Sequence, residues 1–90
     1  MEFSWNESKA ARNLARHGVA FSEAATVFND LLYIDFFDPD HSETEHRYIR
    51  VGCSEQGRLL VVSYTEDAEI TRLISARPAT RSERETYEEQ

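Results

Sequence analysis

Apolar positions along the chain change their spacing several times, and each change marks an element. Glu2 to Trp5 alternates, with Phe3 and Trp5 on one side, and reads as a short strand. Asn6 then offers an N-cap, and Glu7 places a negative charge in the first turn of a helix. That helix is expected to run to about His17 through good helix formers and to stop at Gly18 in a left-handed cap. On it Ala10, Leu14 and His17 share one stripe, and Lys9, Asn13 and Arg16 an adjoining one. A second short helix opens at Phe21-Ser22-Glu23 with Ser22 as cap, buries Ala24, Val27 and Phe28, and ends at Asn29-Asp30.

From Leu32 onward the pattern turns to β. Leu32 to Phe37 is β-rich, Asp38-Pro39-Asp40-His41-Ser42 is loop by composition, and three strands follow at about Glu45–Cys53, Arg58–Thr65 and Glu69–Ala76. The short links Glu55-Gln56-Gly57 and Glu66-Asp67-Ala68 make these an antiparallel meander. Arg58–Thr65 is nearly continuous in apolar residues, so it belongs at the centre, covered on both faces. Pro78 breaks the last strand. Thr80 or Ser82 then caps a helix from Arg81 to Glu89, and Ser82-Glu83-Arg84-Glu85 fits a capping box. The order β-α-α-β-β-β-β-α gives an α+β fold, an antiparallel sheet packed with helices. Ninety residues hold one core, so residues 1–90 are expected to form a single domain.

Composition narrows the function classes. Cys53, the one cysteine, sits in the apolar run Ile49 to Cys53 and reads as a small buried hydrophobe. A single cysteine does not suit a small secreted domain. The N-terminus lacks a signal-peptide pattern and no apolar run is long enough for a bilayer, so a cytoplasmic protein is expected. The glycines are isolated, which leaves no phosphate loop. Ser54 and Ser75 lack a nucleophile elbow. The run Asp38, Asp40, His41, Glu43, Glu45, His46 has metal-ligand residue types, but its spacing matches no compact ligand motif; a solvated acidic turn is the expected reading. The net charge of −7 runs against free-standing binding to nucleic acid, which is driven by phosphate neutralisation. The basic residues are nonetheless segregated: Lys9, Arg12 and Arg16 on the first helix, the other seven from Arg47 onward, and none between Asp30 and Glu45.

Arginines in strands carry the most chemistry. Arg47 alternates with Ile49 and Val51, Arg72 shares parity with Ile70 and Ile74, and Arg77 follows the last strand. A guanidinium on an apolar sheet face is costly unless it is paired or positioned for a ligand. Arg47, Arg72 and Arg77 can converge on one surface and clamp a phosphate, or they can pair with neighbouring carboxylates and snorkel at a sheet edge.

Several segments together resemble the BrnT family. They are Phe3-Ser4-Trp5-Asn6-Glu7-Ser8-Lys9; Asn13 with Arg16-His17-Gly18-Val19-Ala20-Phe21 and Glu23-Ala24; Asp38 to Ser42 with Glu45-His46-Arg47-Tyr48; and Arg72 to Arg77 with Ala79-Thr80, Glu83-Arg84 and Tyr87. The resemblance implies a RelE-like ribonuclease fold and the toxin of a type II toxin–antitoxin pair, which cuts RNA and arrests translation. It also implies a BrnA-type antitoxin with a ribbon-helix-helix DNA-binding region, and a heterotetramer in which the antitoxin supplies the DNA contacts. A mechanism that suits these residues needs no metal or cofactor. Arg47, Arg72 and Arg77 are the candidate phosphate clamp, Glu45 or His17 the base, Lys9 a supporting cation and Tyr48 an acid. The competing expectation is a binding module, a degenerate toxin that only binds its antitoxin.

Overall fold

A computed structural model describes residues 1–38 and 46–90. The elements run β1 (Glu2–Ser4), α1 (Glu7–His17), α2 (Phe21–Thr26), a single 3₁₀ turn (Val27–Asn29), β2 (Ile34–Asp38), β3 (Arg47–Cys53), β4 (Leu59–Asp67), β5 (Ile70–Pro78) and α3 (Arg81–Glu88). The order matches the α+β expectation. The strands form one sheet, ordered β1-β5-β4-β3-β2. Strands β2 to β5 pair antiparallel, and β1 returns to join β5 in parallel.

Strand β4 is central for the reason its composition gives. Leu60, Val62 and Tyr64 point to one face and enter the main core with Val19, Phe21, Ala24, Val27, Leu73 and Ala76, under α1 and α2. Leu59 and Val61 point to the other face and, with Val51, meet Ile49, Ala79 and Tyr87 beneath α3. Helix α3 thus covers only part of its face.

Local signals set the helix ends. The Asn6 side chain accepts the Lys9 N–H, and Gly18 closes α1 at φ 70°. Two capping expectations shift. Helix α2 starts two positions earlier, with Ala20 at its cap and no side-chain cap bond, so Ser22 lies within the first turn. In α3 the capping box is built by Thr80 and Glu83, each side chain bonding the other's backbone, rather than by Ser82 and Glu85. Strand β5 also continues through Pro78. Along α1, Leu14 remains 51% exposed, because the face laid on the sheet carries the buried Asn13 instead.

Asn13 is what fixes α1 against the sheet. β1 pairs only with residues 70–72 of β5. Further along that edge, the Asn13 amide donates to the Ala76 carbonyl (2.8 Å) and accepts from the Ala76 N–H (3.0 Å), as a neighbouring strand would. The same amide donates to Val19 O at 2.9 Å, tying the chain after α1 to both. Three hydrogen bonds satisfy a buried amide that would otherwise be costly.

Among the described residues, no helix is long and apolar enough to cross a membrane.

Candidate active site

A bulge in β5 decides which way the arginines point. Ser63 pairs with Ser75 but Tyr64 pairs with Leu73, so Ile74 is an extra residue and the alternation inverts across it. The expectation that Ile74 shares a face with Arg72 therefore fails: Ile74 turns toward α1. The same inversion puts Arg72 and Arg77 on one face, although one number is even and the other odd. In register across the sheet, that face carries the row Arg72, Thr65, Arg47 and Asp38, then the row Ser75, Ser63, Ile49 and Phe36, then Arg77, Val61, Val51 and Ile34.

The three arginines share the face but not the same place on it. Arg47 and Arg72 flank Thr65 on adjacent strands, about 10 Å apart at the backbone from the usual strand spacing. Their end of the face is not covered by α3. Arg72 is exposed, and Arg47 is half-buried. Arg77 lies four β4 positions away, about 13 Å along the strand, where α3 packs. There it is held bidentately by Glu83, with both nitrogen–oxygen distances at 2.8 Å. A phosphate at Arg77 would have to displace that carboxylate. Of the expected clamp, the fold sets the half-buried Arg47 and the exposed Arg72 at the uncovered end of the face and seats Arg77 on Glu83 beneath α3.

The Arg77–Glu83 pair makes a pH prediction. The hydrogen bonds from Arg77 hold the Glu83 carboxyl down at about 2 from its ordinary 4.5. A carboxyl depressed in the folded state stabilises fully above its unfolded value, and that contribution is lost as pH falls. Melting temperature should therefore drop between pH 4.5 and 2, and less steeply in Glu83→Gln. Equal slopes in thermal melts of the two proteins would contradict the assignment. Glu23 titrates in the same direction, lowered chiefly by its hydrogen bonds from Arg58, so some slope remains in the variant.

Lys9 and His17 lie on the opposite side of β5. With Arg12 and Arg16 of α1 they line a shallow groove of about 530 Å³ whose far wall is Ile74 and Ser75. Ser75 belongs to the arginine face, so the groove and that face meet at the β5 edge. His17 is half-buried in the last turn of α1. Arg12 and Arg16 were legible as charges but not as groove residues, because the helix is oriented by Asn13, whose partner lies 63 residues away.

Tyr48 alternates with Arg47 and so points to the other face, where it stacks on Tyr64 at 5.6 Å and meets Phe37 edge-on at 6.0 Å. The fold does not bring it beside the arginines. Glu45 and most of the acidic run (Asp40, His41 and Glu43) lie outside the described residues.

The arginine that strand parity did not single out is Arg50. It is buried on the α1–α2 face, bound bidentately by Asp35 at 2.7 and 2.8 Å. Its guanidinium carbon sits 3.8 Å from the Tyr33 ring centroid and 4.4 Å from that of Phe28. Burial alone would lower its pKa, but the Asp35 hydrogen bonds outweigh this and raise it, so it stays charged. Arg58 is likewise structural: it bonds Glu23 at 2.9 Å beside Ser54. Neither has a guanidinium to spare for substrate.

An open sheet end bearing two arginines, continuous with a basic groove, suits a polyanion such as RNA. The class that matches is the ribonuclease toxins of type II toxin–antitoxin systems. Residues 5–83 match the family model described as the ribonuclease toxin BrnT of a type II toxin–antitoxin system, and the chain belongs to that family. The fold is similar to the crystal structure of the Brucella abortus ribonuclease toxin BrnT, with a TM-score of 0.65 and 21% identity over 90% of this chain and 99% of that one. No curated relative matches the sequence.

Proposed function

We propose that residues 1–90 act as one domain that cuts RNA by internal transesterification without a metal. The observation that carries this reading is the row Arg72–Thr65–Arg47 at the open end of the sheet, where two guanidinium groups flank a site that would take one phosphate. A base removes the proton of a ribose 2′-hydroxyl, whose oxygen attacks the adjacent phosphorus. The 5′-oxygen leaves with a proton from an acid, and a 2′,3′-cyclic phosphate remains. Arg47 and Arg72 stabilise the charge that develops on the phosphate oxygens. His17 or Glu45 serves as base. Lys9 adds a cation in the groove, where Arg12 and Arg16 would hold the flanking backbone. Arg77 supports the site through Glu83 and α3, and Tyr48 supports it from the other face.

The type II family supplies an antitoxin partner. The proposed partner is a BrnA-type ribbon-helix-helix protein, and the assembly a cytoplasmic heterotetramer. A chain of net charge −7 suits an arrangement in which the antitoxin makes the DNA contacts.

The test is RNA cleavage by the purified chain with and without EDTA, alongside growth on induction. Cleavage that persists in EDTA and leaves cyclic-phosphate ends is expected. Loss of cleavage in EDTA overturns metal independence. Absence of both cleavage and growth arrest, with antitoxin binding intact, favours the binding-module reading.

A further inference from the structure

Ile34 and Phe36 of β2 and Ile49 and Val51 of β3 floor a groove of about 210 Å³, and Ser82, Glu83 and Thr86 of α3 wall it. The register puts this floor on the same face as the arginines: Ile34 pairs with Val51, Phe36 with Ile49 and Asp38 with Arg47. Ile49 is two residues from Arg47 on β3, so the groove begins about 7 Å along the strand from the row Arg72–Thr65–Arg47. Ser63 and Ser75, both small, continue the Ile49 row toward β5. A sugar joining a phosphate in the arginine row to a base in the groove would cross beside them.

Size and polarity narrow the occupant. The volume lies below the roughly 300–1,000 Å³ of pockets that enclose a whole drug-sized ligand, and suits one flat ring system. The floor is apolar and includes the aromatic ring of Phe36, which is 47% exposed. The wall carries the hydroxyls of Ser82 and Thr86. Its one charge, Glu83, is offset by the bidentate hydrogen bonds from Arg77, which reduces its repulsion of a nearby polyanion. A nucleobase needs such a site: apolar surface and an aromatic ring to stack on, and polar groups for its edge. In a duplex the faces and edges of the bases are already taken, so only an unpaired nucleotide can enter. A partner protein's apolar side chain would also fit the floor, but it has no use for the arginine row beside it.

We propose that this groove receives one unpaired base of the RNA substrate, next to the phosphate held by Arg47 and Arg72. This rests on the proposed RNA-cutting reading and deepens it. The substrate is then single-stranded RNA, and Phe36, Ser82 and Thr86 set a preference for the base beside the cut.

The test measures single-turnover cleavage by the full chain on short RNAs that differ only in the bases flanking the cut, and on the best of them annealed to its complement. The proteins are wild type, Phe36→Ala, Ser82→Phe to plug the groove and, as a control on an exposed apolar residue of α1, Leu14→Ala. All three replaced side chains are exposed, so the fold should hold, and melting curves check this. Wild type should cut its preferred sequence about tenfold faster than its poorest, within the range that stacking one base on an aromatic ring contributes, and should leave the duplex uncut. Phe36→Ala and Ser82→Phe should flatten that preference, and Leu14→Ala should keep it. Fluorescence anisotropy with 2′-O-methyl oligonucleotides of the same sequences, which lack the attacking hydroxyl, reads the groove without catalysis. The same preference should appear there in wild type and vanish in both groove variants. If wild type binds with that preference but cuts nothing, the cutting reading fails and the base site stands. A preference that survives in either groove variant, equal rates and equal binding on every sequence, or a duplex cut as fast as the single strand overturns the proposal. Where the groove variants keep the base preference and lose affinity for the antitoxin instead, the groove belongs to the protein partner.

Discussion

Arg72→Ala should abolish growth arrest while leaving the protein as stable as wild type. Arg72 is exposed and makes no side-chain hydrogen bond to another described residue, so its removal should shift stability by no more than about 0.5 kcal/mol. Its value lies in charge stabilisation that exists only once a phosphate is bound and negative charge grows on its oxygens. Loss of one preorganised donor of that kind costs about 10²–10³-fold in rate. Arg47→Ala should cost a similar factor, with some loss of stability because the side chain is half-buried. Arg72→Lys should recover only part of the rate, since an ammonium keeps the charge but not the two parallel donors. Arg77→Ala is the informative contrast: its guanidinium is already held by Glu83, so a lower melting temperature should outweigh any effect on cleavage. Single-turnover rates on one RNA, with melting curves for each variant, separate these cases. Full toxicity from both Arg47→Ala and Arg72→Ala would remove the clamp.

Much of this site depended on a feature that the sequence does not display. Alternation alone places Arg72 with Ile74 and opposes both to Arg77. The bulge at Ile74 reverses the second half of β5, and no turn residue or glycine marks it. Elements set by neighbours in sequence were readable: the Asn6 and Gly18 caps of α1, the meander, and the central position of β4 from its unbroken apolar run. The parallel return of β1 to β5 was not, because it joins residues 2–4 to residues 70–72 with nothing local to announce it. Gly52 shows the same limit. It looks like any isolated glycine in a strand, yet a β-carbon there would lie 2.8 Å from Val27 Cγ1, so close packing of the 3₁₀ turn on β3 requires it. Asn13 was visible as part of a motif, but its work as a surrogate strand on Ala76 depends on a contact far along the chain. The candidate residues were thus legible by type, and their grouping only through long-range pairing. Lys9 and His17 fall on the groove, Arg47 and Arg72 on the open face, and Tyr48 behind it.

Arg50 shows how a charge can hold the frame on which these surfaces depend. Its side chain is only 9% exposed, and its partner Asp35 is 31% exposed. Tyr64, buried in the main core, donates its hydroxyl to Asp35 at 2.8 Å, so one carboxylate joins β2, β3 and β4. Asp35→Ala leaves a buried guanidinium without its counter-charge, a loss of about 3–5 kcal/mol in other buried pairs. Arg50→Met keeps the volume and leaves an aspartate that can still reach water, so its cost should sit near the lower end of that range. Against a total stability of about 5–15 kcal/mol, either change brings a domain of this size near unfolding. At roughly 4–8 °C per kcal/mol, the expected loss in melting temperature exceeds about 12 °C. The double variant Asp35→Ala/Arg50→Met should be more stable than the sum of the single losses allows, by about 1–3 kcal/mol, because it removes both charges together. Urea denaturation of the four proteins measures this coupling. Strict additivity, or a single loss under about 1 kcal/mol, would show that the Tyr33 and Phe28 rings support Arg50 without the carboxylate.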